Sequence, residues 1–170
     1  MSLMLICATA LSFVGVNAEV RAHVNGRPSV PTNGTRVRTV VSGLAMDCNF
    51  TTSGHDAAWV EMPVNLSAFK TVALDRTISD SRQRVFIALT DSHGECHLFH
   101  FPAEGNGRQT VVVNVTDSNE RPGERFAWRW GGDDNQRIDW PVKKIGLGIN
   151  DTPDEFIGTV NVIFHRLEFK

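Results

Sequence analysis

The sequence has no tyrosine, only 3 cysteines, no long run of basic residues and almost no helical periodicity. Each shortage removes a class of protein. With 3 cysteines and nothing like two CxxC pairs, a zinc-ribbon framework is excluded. The formal net charge of −2 argues against a nucleic-acid binder, which needs a basic field to meet phosphates. No stretch beyond the N-terminal region is long and apolar enough to span a bilayer as a helix. Apolar residues at i, i+3, i+4, i+7 do not recur over any long window, so a helical bundle is excluded. The missing tyrosine has no physical account, but it leaves 10 Phe and 4 Trp as the aromatic side chains.

What is present is strand text. The 170 residues suit one domain with a real core. Short apolar runs bounded by turn residues cover Val37–Val41, Leu44–Phe50, Ala57–Met62, Thr71–Leu74, Val85–Thr90, Glu95–Phe101, Thr110–Val115, Ile145–Ile149 and Thr159–Phe169. Several alternate with period two, as Val85, Ile87 and Leu89 do against Phe86, Ala88 and Thr90. Many short strands of this kind predict an all-β antiparallel sandwich or barrel. Asp91-Ser92-His93-Gly94 reads as a hairpin turn, with Asp opening it and Gly supplying positive φ. Glu104–Gly107, Asn119–Gly123 and Gly131–Asn135 read as further turns or loops.

Three segments are expected: a signal peptide over 1–18, an irregular leader over 19–36 with at most one short strand, and the sandwich over 37–170. Ser2 to Ala18 carries no charged side chain, and Val16-Asn17-Ala18 offers small residues for cleavage before Glu19. The n-region has no Lys or Arg, and the competing reading is a mis-assigned start or a first segment buried in the fold. Cleavage would remove Cys7 and leave Cys48 and Cys96, either as a disulfide or as two buried thiols. Sequons at Asn33, Asn49, Asn65, Asn114 and Asn150 would matter only in a glycosylating pathway.

The order of "GLAMDCNF", "AAWVEMPVNLSAFKTVAL", "RVFIALTDSHGECHLFHF", "QTVVVNV", "WRWGGDDNQRIDWPVKKIGLGIN" and "GTVNVIFHRLEF" resembles a known family. It is similar to the galactose-binding-like jelly roll of non-catalytic carbohydrate-binding modules, the family 11 type attached to bacterial polysaccharide-degrading enzymes. Related sandwiches occur in the complex I intermediate-associated group. The resemblance runs from about Gly43 to Phe169, with Asn65–Phe69 and Asp91–Glu95 as its most specific phrases. It implies two antiparallel sheets, one of them often holding a glycan, and no cofactor beyond a structural calcium near the chain ends. Phe164-His165-Arg166-Leu167-Glu168 stands where relatives carry more acid, which speaks against that calcium. A catalytic partner, where there is one, would be a separate glycoside hydrolase chain. Export from a bacterial cell, to the periplasm or the medium, follows from the leader and the resemblance together.

A sugar site needs an aromatic face for the C–H side of a pyranose and polar groups for its hydroxyls. Trp128-Arg129-Trp130, read as part of a polar loop before Gly131-Gly132, meets that need, with Arg129, Asp133, Asp134 and Asn135 as hydrogen-bonding groups. The competing reading has one or both Trp plugging the end of the sandwich. Trp59 and Trp140, flanked by apolar residues, are expected in the core. His97 shares a strand face with Phe99 and Phe101, opposite Cys96, Leu98 and His100. With Leu98 inside, His97 would face a glycan. The competing reading is an ordinary surface or satisfied histidine.

A hydrolase would need two carboxylates facing each other across a cleft. Glu61, Asp75, Glu95 and Asp139 are available, but no spacing singles out a pair, and the common nucleophile and metalloprotease motifs are missing. The expected function is therefore non-catalytic carbohydrate binding. The alternative is a structural or protein-association sandwich with no sugar site.

Overall fold

The computed structural model describes residues 10–13, 19–24, 27–29, 36–50, 57–82, 84–102, 105–117, 126–150 and 158–170; for 19–24, 27–29 and 126–128 it describes the backbone alone. The strands are β1 (Ala10–Ser12), β2 (Glu19–Val24), β3 (Arg27–Ser29), β4 (Arg36–Val40), β5 (Gly43–Phe50), β6 (Ala57–Leu66) and β7 (Thr71–Ile78). They continue with β8 (Arg84–Thr90), β9 (Glu95–His100), β10 (Gly107–Asn114), β11 (Phe126–Gly131), β12 (Val142–Asn150) and β13 (Gly158–Phe169). No helix occurs among the described residues, hence none long and apolar enough to cross a membrane.

Two antiparallel sheets pack face to face as a jelly-roll sandwich. One runs β10-β7-β13-β5-β4, with β1 added beside the end of β13. The other runs β11-β9-β8-β12-β6-β2-β3. The period-two pattern decides what lies between them. From the first sheet come Leu44, Met46 and Cys48, Val72 and Leu74, Val111 and Val113, and Val160, Val162 and Phe164. From the second come Ala58, Val60 and Met62, Val85, Ile87 and Leu89, Phe99, and Ile145, Leu147 and Ile149.

Strand β13 shows how one residue resets that parity. Strict alternation from Val160, Val162 and Phe164 would bury Arg166 and Glu168. The register instead shifts between Phe164 and Arg166, which returns Leu167 and Phe169 to the core. The irregularity buries the His165 imidazole, whose Nδ1 lies 2.7 Å from the Ser42 carbonyl and whose Nε2 lies 2.8 Å from Thr77 Oγ1. A carbonyl only accepts, so Nδ1 carries the proton and Nε2 accepts from the threonine hydroxyl.

The N-terminal third differs from the expectation. The described parts of the expected leader are two strands, β2 and β3, pairing onto β6 and each other. Part of the expected signal peptide also takes a place in the fold. Ala10–Ser12 pair with Glu168–Arg166, and Phe13 has 0% exposure with its ring 6.3 Å from that of Phe164.

The proposed disulfide does not form. Cys48 and Cys96 are both buried and are not bridged to each other. Cys48 faces the core from the first sheet, whereas Cys96 lies in a separate small cluster with Phe86, Ala88 and Leu98 on the other side of the second sheet.

Candidate functional site

The outward face of the seven-stranded sheet is fixed by what its inward face buries. With Ala58, Val60 and Met62 inside, Trp59 and Glu61 point outward from β6. With Ile145, Leu147 and Ile149 inside, Lys144, Gly146, Gly148 and Asn150 mark the outer face of β12. Register extends the rows. Trp59, Gly148, Phe86 and His100 stand side by side, then Glu61, Gly146, Ala88 and Leu98, then Lys144, Thr90, Cys96 and Trp130.

Trp59 is a half-buried surface residue, contrary to its expected place in the core. Its apolar neighbours point the other way, because adjacent residues of a strand face opposite sides. The indole rests over the glycines of β12. A Cβ at Gly146 would meet Trp59 Cδ1 at 3.2 Å, and one at Gly148 would collide with Trp59 Cβ and the Ala58 carbonyl oxygen. Phe86 lies beside the ring, with centroids 6.4 Å apart. Trp59 Nε1 donates to Glu61 Oε1 at 3.3 Å, and Lys144 Nζ to Glu61 Oε2 at 3.3 Å. Asn150 Nδ2 and His100 Nε2 are 3.0 Å apart at the far end of the same face. Trp140 does pack on the core, edge-on to Phe69 at 4.8 Å.

Strand β11, expected as a loop, is the edge strand next to β9. Trp130 pairs with Cys96, shares its outward face, and is 45% exposed. Trp128 pairs with Leu98 through the backbone; its side chain lies outside the described residues. Arg129 pairs with His97 and turns inward, where Nη1 reaches Glu95 Oε1 at 2.5 Å and also Asp134 Oδ1. Those carboxylates hold its guanidinium more firmly protonated than usual, Glu95 first. Arg129 is thus spent on an interior ion pair, and Asp134 on closing it from the surface.

His97 requires a correction. Leu98 faces outward, so His97 faces inward at 0% exposure and cannot touch a glycan. It lies instead in a polar cluster at the β8–β9 end of the sandwich. Asp91 Oδ1 accepts from the backbone N–H groups of His93 and Glu95, both at 2.9 Å, and Oδ2 from that of Asp139 at 3.1 Å. This is the physical content of the Asp91–Gly94 turn, with Gly94 at φ 85°. Outside it, His93 Nδ1 is 3.0 Å from Asp139 Oδ2 and 3.4 Å from Asp133 Oδ2. The hydrogen bond with Asp139 raises the His93 pKa above its usual 6.5. Bonds from His93 and then Asn135 lower that of Asp139 below 3.8. Asp133 and Asn135 therefore serve to brace the loop.

Asp91 and Glu95 are the buried, converging carboxylates among the described residues. Neither has the exposure that a hydrolytic pair needs to meet water and a substrate. Asp75 is bound to Arg108 at 2.7 Å on the first sheet, and Glu61 is taken up by Trp59 and Lys144.

No protein-family model matches the chain, and no curated protein matches it in sequence. Solved structures do match in fold. A family 11 carbohydrate-binding module from Clostridium thermocellum, solved with a β-1,3-1,4-mixed-linked tetrasaccharide, is 14% identical with a TM-score of 0.52, over 99% of this chain and 93% of that one. The agarase AgWH50C is 14% identical at TM-score 0.55, and PfGH50B 10% identical at 0.53. This chain aligns over 95% and 91% of its own length but spans only 24% and 22% of those two proteins. At such identities the likeness is one of fold: an antiparallel β-sandwich like that of the family 11 module.

Proposed function

We propose that the protein is a non-catalytic carbohydrate-binding module of an exported protein, taking a polysaccharide or surface glycan on the outer face of its seven-stranded sheet. The observation that carries this reading is the combination on that face of two outward indoles, Trp59 and Trp130, with Glu61, Lys144, Asn150 and His100 between and beside them. Stacking on indole and hydrogen bonding to fixed polar groups is the chemistry that sugar rings require. Four strand spacings separate the two indoles, about 19 Å across the sheet. An oligosaccharide bridges that distance and a single sugar does not, so an extended polymer is the fitting ligand. The fold shared with the family 11 module supports the same reading.

Affinity electrophoresis of the full chain against plant, algal and bacterial polysaccharides tests it, with Trp59→Ala and Trp130→Ala beside the parent and Val112→Ala on the opposite sheet as control. Retardation by one polysaccharide class, lost by about tenfold or more in a folded tryptophan variant, is expected for removal of a principal stacking contact. Retention equal in parent and tryptophan variants moves the site elsewhere. No retention by any polysaccharide leaves the structural or protein-association role. Export rests on the apolar run Leu3–Val16. N-terminal sequencing of protein recovered outside the cell supports it if the chain starts at Glu19, in which case β1 and Phe13 are absent from the mature fold, and opposes cleavage if it starts at Met1, in which case Phe13 keeps its place beside Phe164.

A further inference from the structure

Under the proposed sugar face, on the inward side of β9, lies a group that sugar binding does not use. Glu95 and His97 have 0% exposure and Asp91 has 1%. Glu95 Oε2 and both nitrogens of His97 have no hydrogen-bond partner. Buried polar atoms are almost always satisfied, because leaving one unmade costs about 1–3 kcal/mol in general. Here two of them converge on one point. His97 Nε2 is 3.7 Å from Asp91 Oδ2 and 3.9 Å from Glu95 Oε2, too far for hydrogen bonds, and the donor atoms of all three residues lie within 4.8 Å of one another.

The geometry points to an interior site for a divalent transition-metal cation of the zinc class, held by Asp91, Glu95 and His97. Zinc bonds of about 2.1 Å at tetrahedral angles set donor atoms about 3.4 Å apart, so the two gaps to His97 Nε2 close with shifts of a few tenths of an ångström, while the Asp91–Glu95 pair lies within 4.8 Å. An imidazole with two carboxylates suits zinc better than calcium or magnesium, which take oxygen donors. Charge agrees. The buried carboxylates Asp91 and Glu95 give −2 against +1 from Arg129, a net negative interior that a cation relieves. Part of the surrounding shell is already built, although His97 Nδ1 has no partner. Arg129 fixes the other oxygen of Glu95, and backbone N–H groups fix Asp91. Such a site is loaded as the chain folds, since no member is open to solvent.

The test is refolding of the full chain in metal-stripped buffer with and without zinc, followed by desalting and metal analysis. The expected result is about one zinc per chain and a thermal midpoint raised by about 5–10 °C over the stripped protein. His97→Gln and Glu95→Gln should fold, shown by their circular dichroism, and retain no zinc. His93→Ala, which disables the exposed His93–Asp133–Asp139 group, should retain it. Should the glutamine variants fail to fold, cobalt(II) in the parent chain supplies the readout: its visible absorption should show a nitrogen–oxygen tetrahedral site and vanish on adding zinc. Zinc retained by folded His97→Gln, or lost in His93→Ala, overturns the assignment. So does a parent chain that binds no metal and gains no stability. Because the readouts involve no sugar, failure here leaves the carbohydrate reading untouched, and the reverse also holds.

Discussion

Asp91 organises more backbone than any other side chain described, capping the turn of its own hairpin and reaching across to Asp139. Asp91→Ala strands several buried donors, and urea unfolding should show a loss of roughly 3 kcal/mol, from the usual cost of unsatisfied buried groups. Cys96 behaves oppositely, as a group made inert. Burial pushes its thiol up to about 12. Alkylation at pH 8 followed by peptide mapping should find Cys48 and Cys96 unmodified in the native protein and modified in denaturant. His93 and Asp139 set a pH window. The raised His93 pKa gives stability that is complete below pH 6.5 and fades as pH rises through the folded-state value. The lowered Asp139 pKa gives stability present above pH 3.8 that fades as pH falls through its own folded-state value. The pair therefore acts mainly between these limits, and NMR titration should place the His93 midpoint above 6.5 in the parent and lower in Asp139→Asn. Of these residues only the Asp91 turn was legible in the sequence. The pairing of His93 with Asp139 joins residues 46 apart, which no local pattern reports.

At the scale of elements, the strands that alternate cleanly were legible and those that pair through polar or short text were not. β4 to β10, β12 and β13 lie where apolar runs foretold them. β11 was missed because Phe126–Gly131 is flanked by glycines and acids that read as loop, and because its pairing partner, not its own pattern, makes it a strand. Trp59 was misplaced for a different reason: apolar flanks were read as core, although parity with Ala58 and Val60 already assigned it to the other face. Gly146 and Gly148 carried no signal at all until register set them under that indole. Gly148→Ala should cost about 1–3 kcal/mol by overpacking and should shift the Trp59 fluorescence emission, since the new methyl collides with the residue that supports the ring.

At the scale of the molecule, the sandwich itself was readable because strand length, turn spacing and alternation all agree on it. The outer face of the second sheet was not, because it is assembled from strands far apart in sequence, whereas the interior cluster is local to residues 91–97 and was hidden because Leu98 was taken to face inward and His97 outward. Phe13 belongs to this scale as well, since it fills the core beside Phe164 from a strand at the opposite end of the chain. Phe13→Ala in the full chain should lower stability by about 3–5 kcal/mol, the usual loss for an emptied aromatic site, as read by thermal or urea unfolding. One strand has a mechanical consequence. Among the described residues β11 has a single neighbour, and it carries Trp130 on one side and Arg129 on the other. Force applied to Trp130 from outside is resisted by the ladder to β9 and by the guanidinium gripping Glu95 within. If the proposed polymer and ion both bind, they would be reciprocal effectors through this strand: whatever factor the ion added to the hold on sugar, sugar would return to the hold on the ion.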